Sequence, residues 1–323
     1  MRFINFNINE NDHGRRIDKI LRKMLPKATL SIIYRSIRKG MITLNSKKIG
    51  PDTIVQTKDI LQVSESLALE FKKENPIKIQ PALQTDSLKP LILFENSHIL
   101  ALNKPQGILV HGTDSLDSLV KHYLKKISNS SLSFTPGPVH RLDRNTSGLI
   151  LFAASLYGSQ KVSEMLKARC IKKYYLALFD GIIKETTTWK SHLKRDGIRK
   201  ITYISKTKGK EAFTKVIPLI SNRKSTLALC IIFTGRTHQI RAQGVDYGHP
   251  LMGDKKYNRK KEPYPYILHA AGIYLINPPD ALGCNSLYAP LPAKSYNFLC
   301  NLFGKRKIQK AVCEVKNILT PHT

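Results

Sequence analysis

Apolar residues near the start of the chain recur at the spacing of a helix. One side of that helix is apolar: Ile17, Ile20, Leu21, Met24 and Leu25. The opposite side is basic: Arg15, Arg16, Lys19, Arg22 and Lys23. Because Pro26 cannot continue a helix, the pattern predicts a short amphipathic helix that ends there, with one buried and one positively charged side.

A second helix and a hairpin follow. Residues 30–37 repeat apolar positions at helical spacing, and Gly40 stands where a helix cap belongs. Further basic residues lie off the apolar side: Arg35, Arg38 and Lys39. Alternation over 41–44, a polar turn and a strand-like stretch at 60–63 predict a hairpin and one more strand. Together they predict a small helix-helix-hairpin domain over residues 13–65.

The remainder of the chain divides into a linker, a large domain and a tail. Residues 66–90 contain three prolines with weak periodicity, which is typical of a linker. Residues 91–303 alternate strand-like segments with few helices: strands at 91–94, 98–102, 148–154, 174–179, 213–219 and 225–233, and a helix at 159–170. We therefore expect an α+β fold, with a mostly antiparallel mixed sheet flanked by helices. Residues 304–323 are predicted to form a basic C-terminal tail or helix.

Charge narrows the class of partner. The 323 residues include 53 Lys and Arg against 23 Asp and Glu, for a net charge of +30. Such an excess favours a nucleic acid or an anionic membrane surface. No apolar run approaches the roughly 20 residues of a membrane span, and residues 1–12 lack the apolar core of a leader. We therefore expect a cytoplasmic protein that binds nucleic acid.

The small domain carries a local version of this charge. Asp18 is the only acid between Arg15 and Lys39. A surface with charges of one sign repels itself unless an anion covers it, so the two basic helices favour RNA or DNA binding. The alternative is an ordinary solvated helix surface.

Cysteine usage points away from metal and disulfide chemistry. None of the five cysteines forms a CxxC pair, and none has a histidine at the spacing of a zinc site. We therefore expect reduced, structural thiols and no metal site.

The stretch over residues 138–149 is the most informative for chemistry. It places Asp143 between Arg141 and Arg144, after His140 and before a glycine and an apolar strand. A carboxylate in a basic, RNA-binding groove weakens binding, so its presence indicates a chemical task. The alternative is a structural ion pair with one of the two arginines, and spacing alone leaves the two readings equal.

Two other stretches add candidate site residues. Residues 234–241 follow a predicted strand and contain Arg236, His238 and Arg241. The arginines could orient an acid or bind phosphates, and the histidine could act as a general base or as a structural hydrogen-bonding group. In residues 172–178, Tyr175 could stack on a base, or it could pack in the core.

From about residue 15 to residue 292 the chain resembles the RluA-type pseudouridine synthases, in particular their RluC-like, two-domain members that modify ribosomal RNA. Residues 140–149 match the signature around the catalytic aspartate of that family, and residues 235–241 match a second signature. Residues 248–254 and 268–270 match weaker ones. The resemblance implies that the chain isomerises uridine to pseudouridine in structured RNA, without a cofactor.

The resemblance also implies roles for individual residues. Asp143 would be the nucleophile or its equivalent, Tyr175 the tyrosine that stacks on the base, and Arg241 the arginine that pairs with the aspartate. The expected RNA-binding set joins the basic residues of the small domain to further residues near the site: Lys104, His140, Arg141, Arg144, Arg236 and His238. The chain departs from the family at Gln243, where a histidine is frequent, and this puts one supporting contact in doubt.

The expected substrate is large-subunit ribosomal RNA, and transfer RNA is the alternative for the same chemistry. A non-catalytic ribosome-assembly factor that binds ribosomal RNA is a competing reading. An aspartate-based phosphotransferase is a third, although a second acid and a magnesium cluster are missing from the sequence. We expect a monomer.

Overall fold

The computed structural model of the chain describes residues 1–71, 88–127, 131–205, 208–258 and 264–319. These residues form a small N-terminal unit and a larger unit built on an extended sheet. Most of the predicted linker, residues 72–87, lies outside the described residues. In the described ranges, every helix is too short or too polar to cross a bilayer.

The small unit packs three helices on a four-stranded antiparallel sheet. Its elements are β1 (Phe3–Asn7), α1 (Ile17–Met24), α2 (Leu30–Arg38), β2 (Ile42–Leu44), β3 (Lys47–Lys48), β4 (Ile60–Ser64) and α3 (Glu65–Phe71). The strand order is β1-β4-β2-β3. Asn45 and Ser46, with φ of 50° and 62°, make the tight turn between β2 and β3. The two predicted helices and the hairpin are confirmed.

The boundaries of this unit differ from the sequence prediction at both ends. Strand β1 precedes residue 13, and it pairs along its whole length with β4. Helix α3 lies in the predicted linker and buries Leu67 and Ala68 in the core of the unit. Both elements are short, and β1 leaves alternate residues exposed, so neither has a strong pattern of its own.

The large unit is dominated by one mixed sheet. Its strands are β5 (Ile92–Glu95), β6 (Ile99–Lys104), β7 (Gly137–Pro138), β8 (Ser147–Ala153), β9 (Ile171–Asp180), β10 (Thr187–Asp196), β11 (Ile201–Ile204), β12 (Lys210–Ser221), β13 (Ser225–Ile232), β14 (Leu268–Leu275) and β15 (Ser286–Tyr288). Its helices are α4 (Leu116–Ile127), α5 (Leu156–Lys167), α6 (Gln239–Asp246), α7 (Ala293–Phe303) and α8 (Lys305–Leu319).

The sheet has the order β11-β10-β12-β13-β9-β14-β8-β6-β5, with β15 beside β14 and β7 beside β8. Among the described strands, β14 and β8 form the one parallel pair, so the predicted mostly antiparallel mixed sheet is confirmed. Strand β9 buries Tyr175 and Ala177 on one side with α4, and Tyr174 and Leu176 on the other with α7 and α8. The candidate site lies on the Tyr175 side.

The parallel pair is possible because of a glycine. Gly148 stands opposite Ala270 with φ of 106°, and a Cβ atom at this position would lie 2.2 Å from the Ala270 carbonyl oxygen. Any side chain would therefore force β8 and β14 apart, in addition to the strain of a positive φ. The glycine that follows Asp143 in the signature is a packing requirement of the sheet.

The C-terminal residues behave differently from a free tail. Helix α8 buries Ile308, Val315 and Leu319 against the face of the sheet opposite the candidate site. Its Lys-rich positions face solvent, which gives the sequence its alternating appearance. The last described residues thus belong to the core of the large unit.

The two units are joined by hydrogen bonds around a buried carboxylate. Asp12 is fully buried and accepts hydrogen bonds from Ser131 Oγ (2.7 Å) and from the Leu132 and Ser133 backbone N–H groups (2.9 and 3.0 Å). Arg15 donates to Ser133 Oγ at 2.6 Å. A carboxylate removed from water needs such donors, so this contact favours a defined placement of the small unit.

Candidate active site

A cavity of about 220 Å³ opens on one face of the large sheet. Its walls come from the loop before β8, from β9, and from the segment between β13 and α6. The three residues predicted to carry the chemistry all line it: Asp143, Tyr175 and Arg241. Residues that are 98 positions apart in the chain, Asp143 and Arg241, therefore meet in one site.

Asp143 lies in a tight loop that leads into β8. Its backbone carbonyl accepts from the Thr146 N–H at 3.1 Å, and its Oδ2 accepts from Arg241 Nη1 at 3.2 Å. Among the described residues, no hydrogen bond to Oδ1 is found. One carboxylate oxygen is thus held, and the other is available to a substrate.

Lys104, predicted to bind RNA, instead supports this loop. Its side chain is fully buried, and Nζ donates to the carbonyl oxygens of Pro105, Ile108 and Arg144 at 2.9–3.0 Å. Burial lowers the pKa of Lys104 to about 8, against the opposing effect of Asp143. The expectation is corrected, because an ammonium enclosed by three carbonyls cannot reach a phosphate.

Arg241 is fixed by a second acid, Asp254, for which the sequence patterns predicted no role. Asp254 is 3% exposed and accepts from Arg241 Nε and Nη2, both at 2.8 Å. Burial lowers the pKa of Arg241, but the hydrogen bonds to Asp254 and the charges of Tyr266, Asp254 and Asp143 together raise it. The rings of Tyr257 and Tyr266 lie 4.7 and 5.6 Å from the guanidinium carbon. The free edge of the guanidinium, Nη1, points to Asp143.

His238 is a neutral neighbour of Asp143. Burial lowers its pKa to about 4 despite the attraction of Asp143. Tyr257 Oη accepts a hydrogen bond from the Thr202 N–H at 2.6 Å. Its hydroxyl can therefore donate to His238 Nδ1, 2.8 Å away. His238 Nε2 then carries the hydrogen and faces Asp143 Oδ2 at 3.5 Å. This arrangement supports a hydrogen-bonding role, and it does not support the expected phosphate contact or a general base.

Tyr175 forms part of the cavity wall and of the core behind it. It is 8% exposed and belongs to the apolar cluster on the α4 side of the sheet. Burial raises the pKa of its phenol, and the charge of Asp143 raises it further. The ring therefore stays neutral beside the carboxylate and can present its face to a base.

The other predicted contacts divide into two groups. His140, Arg141 and Arg236 line the cavity, and Arg236 Nε also donates to the Glu211 carbonyl. Arg144 is exposed outside the cavity lining and donates to the Gly107 carbonyl at 2.9 Å. The structure thus places three of these four at the cavity.

The basic residues of the small unit lie outside the cavity. Arg16 pairs with Asp18 at 3.0 Å, and Arg15 is engaged at the contact between the units. The other six are exposed: Lys19, Arg22, Lys23, Arg35, Arg38 and Lys39. Within the described ranges, none of these six forms an ion pair, so their charge is available to a polyanion.

Gln243 does not weaken the site. It is fully buried in α6, where its Oε1 accepts from Thr214 Oγ1 at 2.7 Å. Its Nε2 donates to the carbonyls of Trp189 and Ala212 and to Ser191 Oγ. The glutamine therefore connects α6 to β10 and β12, and through that helix it helps to position Arg241.

The chain is similar to known RNA-modifying enzymes. A family model described as RNA pseudouridylate synthase matches residues 98–244. The chain is 33% identical to ribosomal large subunit pseudouridine synthase C of Buchnera aphidicola subsp. Acyrthosiphon pisum, over 90% of this chain and 95% of that protein. It is 33% identical to the Escherichia coli K12 protein of the same name, over 79% of each chain. The solved structure of human RNA pseudouridylate synthase domain containing 4 has the same fold, with a TM-score of 0.55 at 20% identity, over 71% of this chain and 95% of that one.

Proposed function

Because the chain belongs to the RNA pseudouridylate synthase family, we propose that it isomerises specific uridines of large-subunit ribosomal RNA to pseudouridine, acting as a monomer in the cytoplasm. The observation that supports this most strongly is the convergence of Asp143, Tyr175 and Arg241 on one cavity. All three lie within the residues that the family model matches. The two bacterial relatives are named as ribosomal large subunit enzymes, which favours ribosomal over transfer RNA as the substrate.

The reaction needs a site that breaks one bond and retains the detached base. The N1–C1′ bond breaks, uracil turns, C5 joins C1′, and the C5 proton is exchanged for one on N1. All atoms stay in the nucleotide apart from that exchange, so no external energy source is required. The uridine must first leave its stack, at a cost of a few kcal/mol.

The residues of the cavity suit these steps. Asp143 presents a free oxygen to the ribose and uracil, while Arg241 holds the other oxygen in place. Tyr175 can hold the detached uracil by stacking, which is worth about 1–3 kcal/mol per base. The carboxylate can attack the sugar or the ring, or remove a sugar proton.

Mapping pseudouridines tests the proposed function. Ribosomal and transfer RNA from a strain that lacks the gene should lose one or more pseudouridines found in the parent, when both are mapped by carbodiimide modification and primer extension. Sites in large-subunit RNA are expected. Loss of pseudouridines from transfer RNA alone would show that transfer RNA is the substrate. An unchanged map would favour a non-catalytic assembly factor.

The exposed basic residues of α1 and α2 are proposed to bind the phosphates of that RNA. Replacing Lys19, Arg22 and Lys23 with glutamine should lower kcat/KM for RNA about tenfold or more near physiological salt, and flatten its salt dependence by about two to three powers of concentration. The turnover number at saturating RNA should stay unchanged.

The matched control removes three exposed charges from α8, which lies on the face of the large sheet opposite the cavity. Lys305, Arg306 and Lys307 begin α8 and face solvent. Their replacement with glutamine changes the net charge equally. An equal effect of the two triple variants would show that only the overall field matters, and would contradict a binding role for α1.

A further inference from the structure

We propose that Lys173 binds a phosphodiester group of the strand that carries the target uridine. Lys173 was not among the residues predicted from the sequence, and the resemblance assigned it no role. The inference rests on the proposed function, because it places an RNA strand in the cavity. It adds a substrate-binding residue to the cavity that Asp143 and Arg241 also line.

The position of the side chain is set by β9. Lys173 precedes Tyr175 by two residues, and both line the cavity. Consecutive strand residues point to opposite faces, so Lys172 points away. A Cβ atom added at Gly235 would lie 3.1 Å from Lys173 Nζ. The ammonium therefore sits against the backbone of the segment that connects β13 to α6, and the glycine leaves room for it.

The ammonium is half-buried and has no acceptor. Among the described residues, no carboxylate and no hydrogen-bond acceptor pairs with Lys173 Nζ. The nearby acids serve other partners, since Asp254 binds Arg241, and Asp143 faces Arg241 and His238. Burial lowers the pKa of Lys173, with no compensating acid. An uncompensated cation of this kind is costly in the free protein, so a ligand that supplies negative charge would remove the penalty.

His140 lies near Lys173 in the cavity lining. Its Nε2 accepts from the Leu151 N–H at 3.0 Å, so in the neutral ring the hydrogen lies on Nδ1. Burial lowers the pKa of His140 to about 3, and the charge of Lys173 lowers it further, so the two groups are close. Nδ1 makes no hydrogen bond among the described residues, although the Arg141 backbone acts weakly to raise the pKa. His140 therefore offers Lys173 no acceptor, because Nε2 is occupied by the Leu151 N–H and Nδ1 carries the hydrogen.

A phosphodiester fits this chemistry best. It is the only charged group of RNA, and a nucleotide that enters the cavity brings one on each side of its ribose. Lysine binds phosphate as a point charge without demanding a fixed orientation. The neighbouring cavity residues Arg141 and Arg236 have the same sign, which favours an anion over a neutral uracil carbonyl.

Neutral linkages in the RNA test the contact directly. The substrate is a fragment of ribosomal RNA with a single methylphosphonate on the 5′ or the 3′ side of the mapped uridine. With wild-type protein, one of the two should lower kcat/KM about 10- to 100-fold, as expected for loss of a charged hydrogen bond. On unmodified RNA, Lys173→Met should have a kcat/KM lower than that of the wild type by a similar factor. On the modified RNA, its kcat/KM should fall no further. Lys173→Arg should recover part of the loss, and Lys172→Met is the control.

A structural role predicts other results. If Lys173 only supported the wall, Lys173→Met would unfold at a lower temperature, and its loss would multiply with that of the methylphosphonate. If Lys173 binds phosphate, Lys173→Met should unfold at a temperature equal to or above that of the wild type, because the variant removes an unpaired charge. The proposal would be overturned if the losses of kcat/KM from Lys173→Met and from the methylphosphonate multiplied. It would also be overturned if Lys172→Met lost as much kcat/KM as Lys173→Met.

One measurement is independent of turnover. Inorganic phosphate should raise the unfolding temperature of the wild type and of Lys172→Met more than that of Lys173→Met. An equal rise in all three would overturn the proposal. If the wild type formed no pseudouridine in any RNA, the proposed function would fail, and this comparison would still decide whether Lys173 binds the anion.

Discussion

Asp143→Asn should abolish pseudouridine formation, with a fall in turnover on the order of 10⁴-fold or more, the size seen when a group that takes part in bond making is removed. Asparagine has the same shape but lacks the anionic oxygen. The surroundings should stay in place, because Arg241 is held by Asp254 and does not depend on Asp143 for its position. RNA binding should therefore change by less than about threefold.

Tritium release from RNA labelled at C5 of uridine measures this turnover, and gel retardation measures binding. Asp246→Asn is the control, since Asp246 lies exposed at the end of α6, outside the cavity. Activity of Asp143→Asn above about one hundredth of the wild type would contradict the catalytic assignment. Loss of both activity and binding would point to a structural role for the carboxylate.

Asp254→Asn should impair both stability and catalysis, although Asp254 does not line the cavity. The substitution exchanges one acceptor of the two-pronged contact with Arg241 for an amide that repels it, and leaves a partly buried guanidinium with too little counter-charge. Breaking a buried ion pair from one side typically costs about 3–5 kcal/mol. We expect a loss of this order in the free energy of unfolding, measured by denaturant titration.

The catalytic effect of Asp254→Asn should appear mainly in kcat. Without the two hydrogen bonds to Asp254, Arg241 can turn toward Asp143 and pair with both of its oxygens. The oxygen that serves the substrate is then occupied. A fall in kcat of about 100-fold with a small change in KM is expected, since misplacement of a reacting group by about 1 Å costs this much. Asp246→Asn again serves as the control. A selective rise in KM would indicate instead that Asp254 acts through RNA binding.

Sequence patterns were most informative where a local signal was strong. The apolar stripe of α1, the turn at Asn45 and Ser46, and the apolar strands of the large unit each carry their structure in adjacent residues. The order of the strands has no such signal. The pairing of β14 with both β8 and β9 joins distant segments, and it follows from the packing of the whole sheet.

The same division applies to the site. The resemblance named Asp143, Tyr175 and Arg241, and the structure brings them together. The resemblance could not tell which lysines are accessible. Lys104 and Lys173 both lie near an end of an apolar strand, yet Lys104 is enclosed by carbonyls and Lys173 lines the cavity. Asp254 lay in a weaker match and received no role, because its contact with Arg241 depends on how the loop after α6 folds back.

Gly148 has a consequence for how this sequence can change over generations. The contact that it permits joins β8 to β14, and β8 begins directly after the loop of Asp143. The pairing of these strands therefore supports both the fold and the position of the catalytic loop. A substitution there cannot give a stable protein that is merely slow. Selection for a stable fold and selection for modified RNA therefore remove the same substitutions of Gly148. Position 148 should stay glycine even in descendants that have lost the reaction but kept the fold.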